Sequence, residues 1–265
     1  MERPWTEVFV AYRDEIDAFV RGTLMQNDRR ERLIKTSRDV TSLSKKLIFH
    51  LHRFSVAAGW PGAAARDAKN ARLLGDAHTK LDEIYAILGA CADAEQLTSA
   101  SARPSADMLR FERFVGASLE EMIEAATFLY FLEHDALMPL DAVQAPLRTD
   151  AGLLRLYVTP ERYLLGLSDL TGELMRFAIN AVGSRDAAAI LERVLGMQRA
   201  IYDALEPLAP FQSEIRKKQH VTLTSLRKVE DAAYTLRVRS SEYSDPAMVQ
   251  EMVRRALQPS EMDES

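Results

Sequence analysis

The sequence predicts an all-α fold, a single antiparallel bundle of about seven helices, on three observations. Apolar residues recur at three- and four-residue spacing through most of the chain. No segment alternates polar and apolar strictly enough to read as a strand. Helix-breaking residues gather at a few breaks, of which VAAGWPGAAARD is the clearest.

Taken in order, residues 5 to 54 read as one or two long helices. Val8, Ala11, Ile16, Phe19 and Val20 are the early apolar positions, Leu33, Val40, Leu43, Leu47 and Leu51 the later ones, and Gly22 marks a candidate bend. Gly59, Pro61 and Gly62 end this segment, and a second helix can then run to about Cys91. After a loop over residues 99 to 105, a third long helix starts near Ser105. It reaches about His134, because no proline interrupts MLRFERFVGASLEEMIEAATFLYFLEHD. A short helix after Pro139 gives way to QAPLRTDAGLLRLYVTP, an irregular stretch expected to be a surface connection.

Thr159 is an N-cap followed by Pro160 at the first helical position, where a missing N–H costs nothing, and this helix runs to about Val182 before Gly183 stops it. Helices over Arg185–Leu205 and Ser213–Arg239 flank the Pro207–Pro210 break, and a last short one begins near Pro246. No Gly/Ser- or Pro-rich linker divides the chain, so residues 1–258 are expected to form one domain, with 259–265 a disordered tail.

Composition narrows the function. With 265 residues, 47% hydrophobic and 28% charged, the chain has enough apolar material for a substantial core. A net charge of −5 argues against binding polyanions by overall attraction, so any nucleic-acid contact has to be local or shared with a partner. Cys91, the lone cysteine, cannot close an intramolecular disulfide and reads as a small buried hydrophobe instead of a nucleophile. The start MERPWTEVFVAYRDEIDAF has neither the basic region nor the apolar run of a secretory signal, so a reducing compartment is expected. No apolar run approaches the roughly 20 residues that span a bilayer. No histidine spacing suggests zinc. His50 and His52 point to nearly opposite sides of a helix, one expected in the core and the other exposed, and neither is assigned to catalysis.

The informative residues are carboxylates. Glu121 and Glu124, flanked by Glu120, project from neighbouring points of one helical face. On a later helix Asp169 and Glu173 are four apart and share a stripe with Arg176 and Asn180, while Tyr163, Leu167, Leu170, Leu174 and Phe177 form the apolar stripe. If the two helices pack together, four carboxylates converge on one or two hard divalent cations, a plausible phosphodiesterase centre. Spacing alone leaves this open against the commoner alternative of two solvated faces.

Three segments add a resemblance. TPERYLLGLSDLTGELMRFAINAVG, RLIKTSRDVTSLSKKLIFHLHR and KKQHVTLTSLRKVEDAAYTLRVRSSE resemble the signature helix, the first long helix and the last long helix of the family formed by translin and translin-associated protein X. With LEEMIEAATF, the similarity covers roughly residues 8 to 244. It implies a metal-dependent endoribonuclease subunit using Mg²⁺ or Mn²⁺ to cleave single-stranded RNA, with Glu121, Glu124 and Asp169 as catalytic metal ligands. Glu173, one turn further along the same GELMR stretch, is a fourth candidate ligand, direct or through water. It implies translin as partner in an octamer-like shell, single-stranded RNA and also single-stranded DNA as ligands, and substrates such as small-RNA passenger strands or transfer-RNA precursor fragments. The alternative within the family is a non-catalytic nucleic-acid-binding or scaffold subunit.

Basic residues at Arg29, Arg30, Arg32, Lys35, Arg38, Lys45 and Lys46 are candidate phosphate contacts if their faces line an assembly interior, though such runs are usually solvated helix faces. The same applies to Arg53 and to Arg216, Lys217, Lys218, Arg227 and Lys228. The chain starts almost directly at its first helix, without the basic extension of animal members, so a cytoplasmic location is expected and a nuclear one is left open.

Overall fold

The computed structural model describes residues 4–56, 60, 67–99, 103–243, 248 and 251–252. Helices with defined bounds are α1 (Pro4–Leu51), α2 (Ala68–Ala94), α3 (Ala106–His134), α4 (Leu140–Gln144), α5 (Pro160–Asn180), α6 (Ala187–Leu205) and α7 (Ser213–Glu242). Among the described residues no strand forms, and no helix is long and apolar enough to cross a membrane. The last short helix expected from Pro246 and the tail expected beyond residue 258 fall almost wholly outside the described residues.

The starts of α3 and α5 are chemically specified. Ser105 Oγ accepts from Met108 N at 3.1 Å, and Thr159 Oγ1 accepts from Arg162 N at 3.2 Å with Pro160 next to it. α1 runs unbroken through Gly22, because one glycine costs a helix only about 1 kcal/mol. Its first half extends past the bundle: Ile16, Phe19 and Val20 are exposed, whereas Leu33, Val40, Leu47 and Leu51 are buried. The early apolar positions Ile16, Phe19 and Val20 are therefore not core, and the side chains of Val8 and Ala11 lie outside those described.

Sequence-adjacent α1 and α2 are antiparallel, as are α5, α6 and α7 taken in turn, since Arg199 of α6 meets Glu230 and Tyr202 meets Gln219. The helices α1, α3, α5 and α7 all point the same way. Arg29 lies by Asp107 and Lys45 by Glu121, while Arg162 lies by Glu112 and Phe177 by Phe131. Their mutual faces form one core that includes Leu47, Leu119, Phe128, Phe131, Leu170, Leu174 and Val229.

The parallel course of α3 and α5 requires a return path, and residues 145–159 provide it. Leu147, Leu154, Leu156 and Val158 are buried, so this is a core segment and not the surface connection its irregular sequence suggested. Backbone bonds serve much of it, Thr149 N donating to Leu153 O and Arg155 N to Leu147 O, but Leu156 O and Val158 N still need partners. The buried Gln144 supplies them: Nε2 donates to Leu156 O and Oε1 accepts from Val158 N, both at 2.8 Å.

Candidate functional site

α3 and α5 bring the acids together because Gly166 lets them approach closely. A Cβ at that position would stand 2.7 Å from Ile123 Cγ2 and 3.1 Å from the Glu120 carbonyl oxygen. Leu165, Leu167, Leu170 and Leu174 are buried on either side, which fixes the rotation of α5 and turns Asp169 and Glu173 toward α3. Glu121, Glu124, Asp169 and Glu173 then line one open cavity of about 620 Å³. Lys45, Ile48 and Phe49 of α1, Arg176 of α5, and Lys218 and Val221 of α7 complete its wall.

The carboxylates are not equivalent. Glu124 makes no ion pair among the described residues. Burial, reinforced by the negative charges of Asp169, Glu173 and Glu121 and only partly opposed by Lys218, pushes its carboxyl up to about 8. The other three each hold a cation. Lys45 Nζ is 3.1 Å from Glu121 Oε1, and Lys218 Nζ is 2.5 Å from Asp169 Oδ2. Glu173, buried, pairs with His52 Nε2 and with Arg176 at 3.2 Å. Burial raises the Asp169 carboxyl while its hydrogen bond from Lys218 works against that rise.

A charge-alternating chain supports the cavity floor. Arg162 of α5 donates to Glu112 at 2.7 Å and to Glu120, and Lys218 links Glu120, at 2.9 Å, to Asp169. Burial lowers the Lys218 pKa, but its contacts with Asp169 and Glu120 raise it on balance, so the ammonium stays charged.

The donor set suits a hard divalent cation such as Mg²⁺ or Mn²⁺: every candidate ligand is a carboxylate oxygen, and one carboxyl is crowded by like charges that an ion would relieve. Among the described residues, no group of three or more His, Cys, Asp or Glu side chains stands ready to hold a metal ion. Lys45, Lys218 and Arg176 hold three of the four acids in ion pairs, and the acids are free to share an ion only when those pairs open.

Sequence reasoning missed Lys218, Glu120 and His52. Lys218 was grouped with solvated basic runs. The available signal was the polar inner face of α7, where Gln219, Thr222 and Ser225 are buried, with Lys218 one turn before Thr222. The two histidines are both half-buried, not one in and one out. His50 Nε2 donates to Leu73 O at 3.0 Å, and His52 packs on Phe128 with ring centroids 5.0 Å apart. Cys91 is half-buried, with burial raising its thiol.

The basic candidates scatter. Arg29 is tied to Glu95 and Asp107, and Arg32 forks onto Glu95. Arg30 lies 5.7 Å over the Phe114 ring. Lys35, Arg38 and Lys46 are exposed, and Lys45 borders the carboxylate cavity.

An all-α bundle with long helices crossing an acid-lined cavity is the class of protein this chain defines. The model of the Translin family matches residues 28–240, and the chain belongs to that family. It is 34% identical to the translin-associated protein X of Pongo abelii over 256 residues, covering 88% of this chain and 79% of that protein. It is 27% identical to the translin-associated protein X homolog of Schizosaccharomyces pombe over 219 residues, 81% of this chain and 84% of that one. Its fold is similar to the crystal structure of apo-NeC3PO, with TM-score 0.59, 13% identity, and 82% of this chain and 94% of that one covered. The crystal structure of AfC3PO gives a TM-score of 0.53 at 18% identity, over 91% and 99% of the two chains.

Proposed function

We propose that this chain is the catalytic subunit of a translin complex, a Mg²⁺- or Mn²⁺-dependent endoribonuclease that cleaves single-stranded RNA. The observation that carries the reading is the convergence of Glu121, Glu124, Asp169 and Glu173 on one cavity, with Glu124 left without a counter-charge. Identity to translin-associated protein X of 34% across most of the chain supports translin as the partner, in a closed octamer-like shell.

Glu121, Glu124 and Asp169 would hold the cation, and Glu173, braced by His52, would do so directly or through a water. The bound cation activates water and offsets charge on the scissile phosphate. Lys45 and Arg176, both exposed on the cavity wall, are placed to meet the strand's other phosphates. Arg162 and Lys218 both hold Glu120, and the Lys218–Asp169 pair would open for Asp169 to take the cation. A cytoplasmic role, on passenger-strand fragments or transfer-RNA precursor fragments, completes the proposal.

A second reading, a non-catalytic nucleic-acid-binding or scaffold subunit, is favoured by the ion pairs that Lys45, Lys218 and Arg176 already make with three of the four acids. Cleavage of labelled single-stranded RNA by the chain co-purified with translin, in Mg²⁺ or EDTA, separates the two. The catalytic reading requires metal-dependent cutting that disappears in Glu124→Gln and in Asp169→Asn while assembly and RNA binding persist. Cutting that survives both variants, or a wild type that does not cut, sinks it in favour of the second.

A further inference from the structure

A second cavity lies beside the first and has the opposite charge. Its volume is about 350 Å³, and His50 of α1, Arg53 just past the end of α1, and Lys69, Arg72, Leu73 and Asp76 of α2 line it. Arg53, Lys69 and Arg72 are exposed and make no ion pair among the described residues, and Asp76 is the one carboxylate in the lining. Lys69 sits in the first turn of α2, whose N-cap residue Asp67 already sets a carboxylate at the positive end of the helix. An anion in this cavity would meet three cations against the single carboxylate of Asp76.

Phe49 connects the two cavities. It is 76% exposed and lines the carboxylate cavity, while Arg53, four residues on in the turn that follows α1, lines the basic one. Lys45 lies one turn before Phe49 on α1, so a basic, an aromatic and a basic side chain follow one another out of the helix.

We infer that the basic cavity is a phosphate subsite for the same RNA strand that enters the carboxylate cavity, and that Phe49 is the platform on which the intervening unpaired base stacks. This rests on the proposed nuclease reading for the identity of the ligand. A backbone phosphate supplies the anion that Arg53, Lys69 and Arg72 lack, and an unpaired base supplies the flat apolar face that an exposed phenylalanine calls for.

The test is binding of fluorescein-labelled single-stranded RNA to the full chain with its translin partner in EDTA, so that no cleavage occurs. Removing two phosphate contacts with Arg53→Ala/Arg72→Ala lowers the magnitude of the slope of log K against log salt by about 1.4. The surface control Arg185→Ala/Arg237→Ala, at two exposed positions that line neither cavity, leaves the slope unchanged. Phe49→Ala weakens binding about tenfold, Phe49→Trp retains it, and the loss vanishes on an abasic strand. An unchanged slope, an equal fall in the control, or a Phe49→Ala effect indifferent to the bases overturns the inference. Cutting abolished by Glu124→Gln together with an unchanged slope overturns the subsite alone. Cutting that survives Glu124→Gln together with the expected slope overturns the nuclease reading and leaves the subsite standing.

Discussion

Lys218 of α7 donates to Asp169 of α5 at 2.5 Å, and the same ammonium lies 2.9 Å from Glu120 of α3. One charge therefore ties three helices together at the carboxylate cavity. It also competes with any divalent cation for Asp169.

Replacing Lys218 with methionine keeps the stem and deletes the charge. Glu120 and Asp169 are then left half-buried without their shared cation, and the fold is expected to lose about 1–3 kcal/mol, the partial exposure keeping this below the cost at a fully buried site. The affinity of the cavity for Mn²⁺ is expected to rise because Asp169 is released. Thermal denaturation and titration calorimetry on one preparation check both; a fall in Mn²⁺ affinity would show that Lys218 assists the ion instead of competing with it.

Glu124 makes stability pH-dependent with an unusual sign. Its carboxyl lies near 4.5 when unperturbed and is pushed up to about 8 in the folded chain, so the native state holds this proton more firmly than the unfolded one. Stability is fully present below about 4.5 and is lost as pH rises toward 8, by at most about 1.4 kcal/mol per pH unit. Glu124→Gln is expected to flatten that slope and to raise the melting temperature at pH 8 in EDTA. Melting curves between pH 5 and 8.5 (roughly the window of the linkage) decide this, and identical slopes for the two proteins would refute it.

Gly166 and Gly172 belong to the same helix yet should respond oppositely to alanine. At Gly166 the added methyl meets Ile123 and the Glu120 carbonyl oxygen, so α3 and α5 must part, at about 1–3 kcal/mol, and the two acid pairs separate. At Gly172 nothing lies within 4 Å, and the gain in helix propensity is about 1 kcal/mol. Denaturant midpoints test the pair. Equal effects would mean that the α3–α5 approach does not depend on Gly166.

Gln144→Leu strips both partners from the buried return segment at Leu156 and Val158. A loss of about 2–4 kcal/mol is expected from two orphaned backbone groups, with faster amide exchange at Val158. Unchanged protection there would mean that the segment is held by its buried side chains alone.

Most of the helices were legible because their periodicity and caps are local: Ser105, Thr159 and the Leu167–Leu170–Leu174–Phe177 stripe behave as spacing dictates. What misled was non-local. QAPLRTDAGLLRLYVTP looks like a loop because its backbone bonds are irregular and two of its groups, Leu156 O and Val158 N, bond the Gln144 side chain, so no period marks its burial. Ile16 and Phe19 look like core because periodicity shows which face of α1 is apolar, not whether anything covers it. The four acids were findable as two pairs, and their meeting in one cavity followed from the expectation that α3 and α5 pack. Lys218 was not findable that way, since its partners lie 98 and 49 residues away, and a lysine in KKQH is indistinguishable from a solvated one.

Mn²⁺ binding to the full chain with its translin partner, followed by electron paramagnetic resonance, reads out whether these carboxylates form a divalent-cation centre. Saturable binding is expected in the wild type, lost in both Glu124→Gln and Asp169→Asn with the fold intact. Binding of equal strength in the wild type and both variants, or none in any of them, would contradict it.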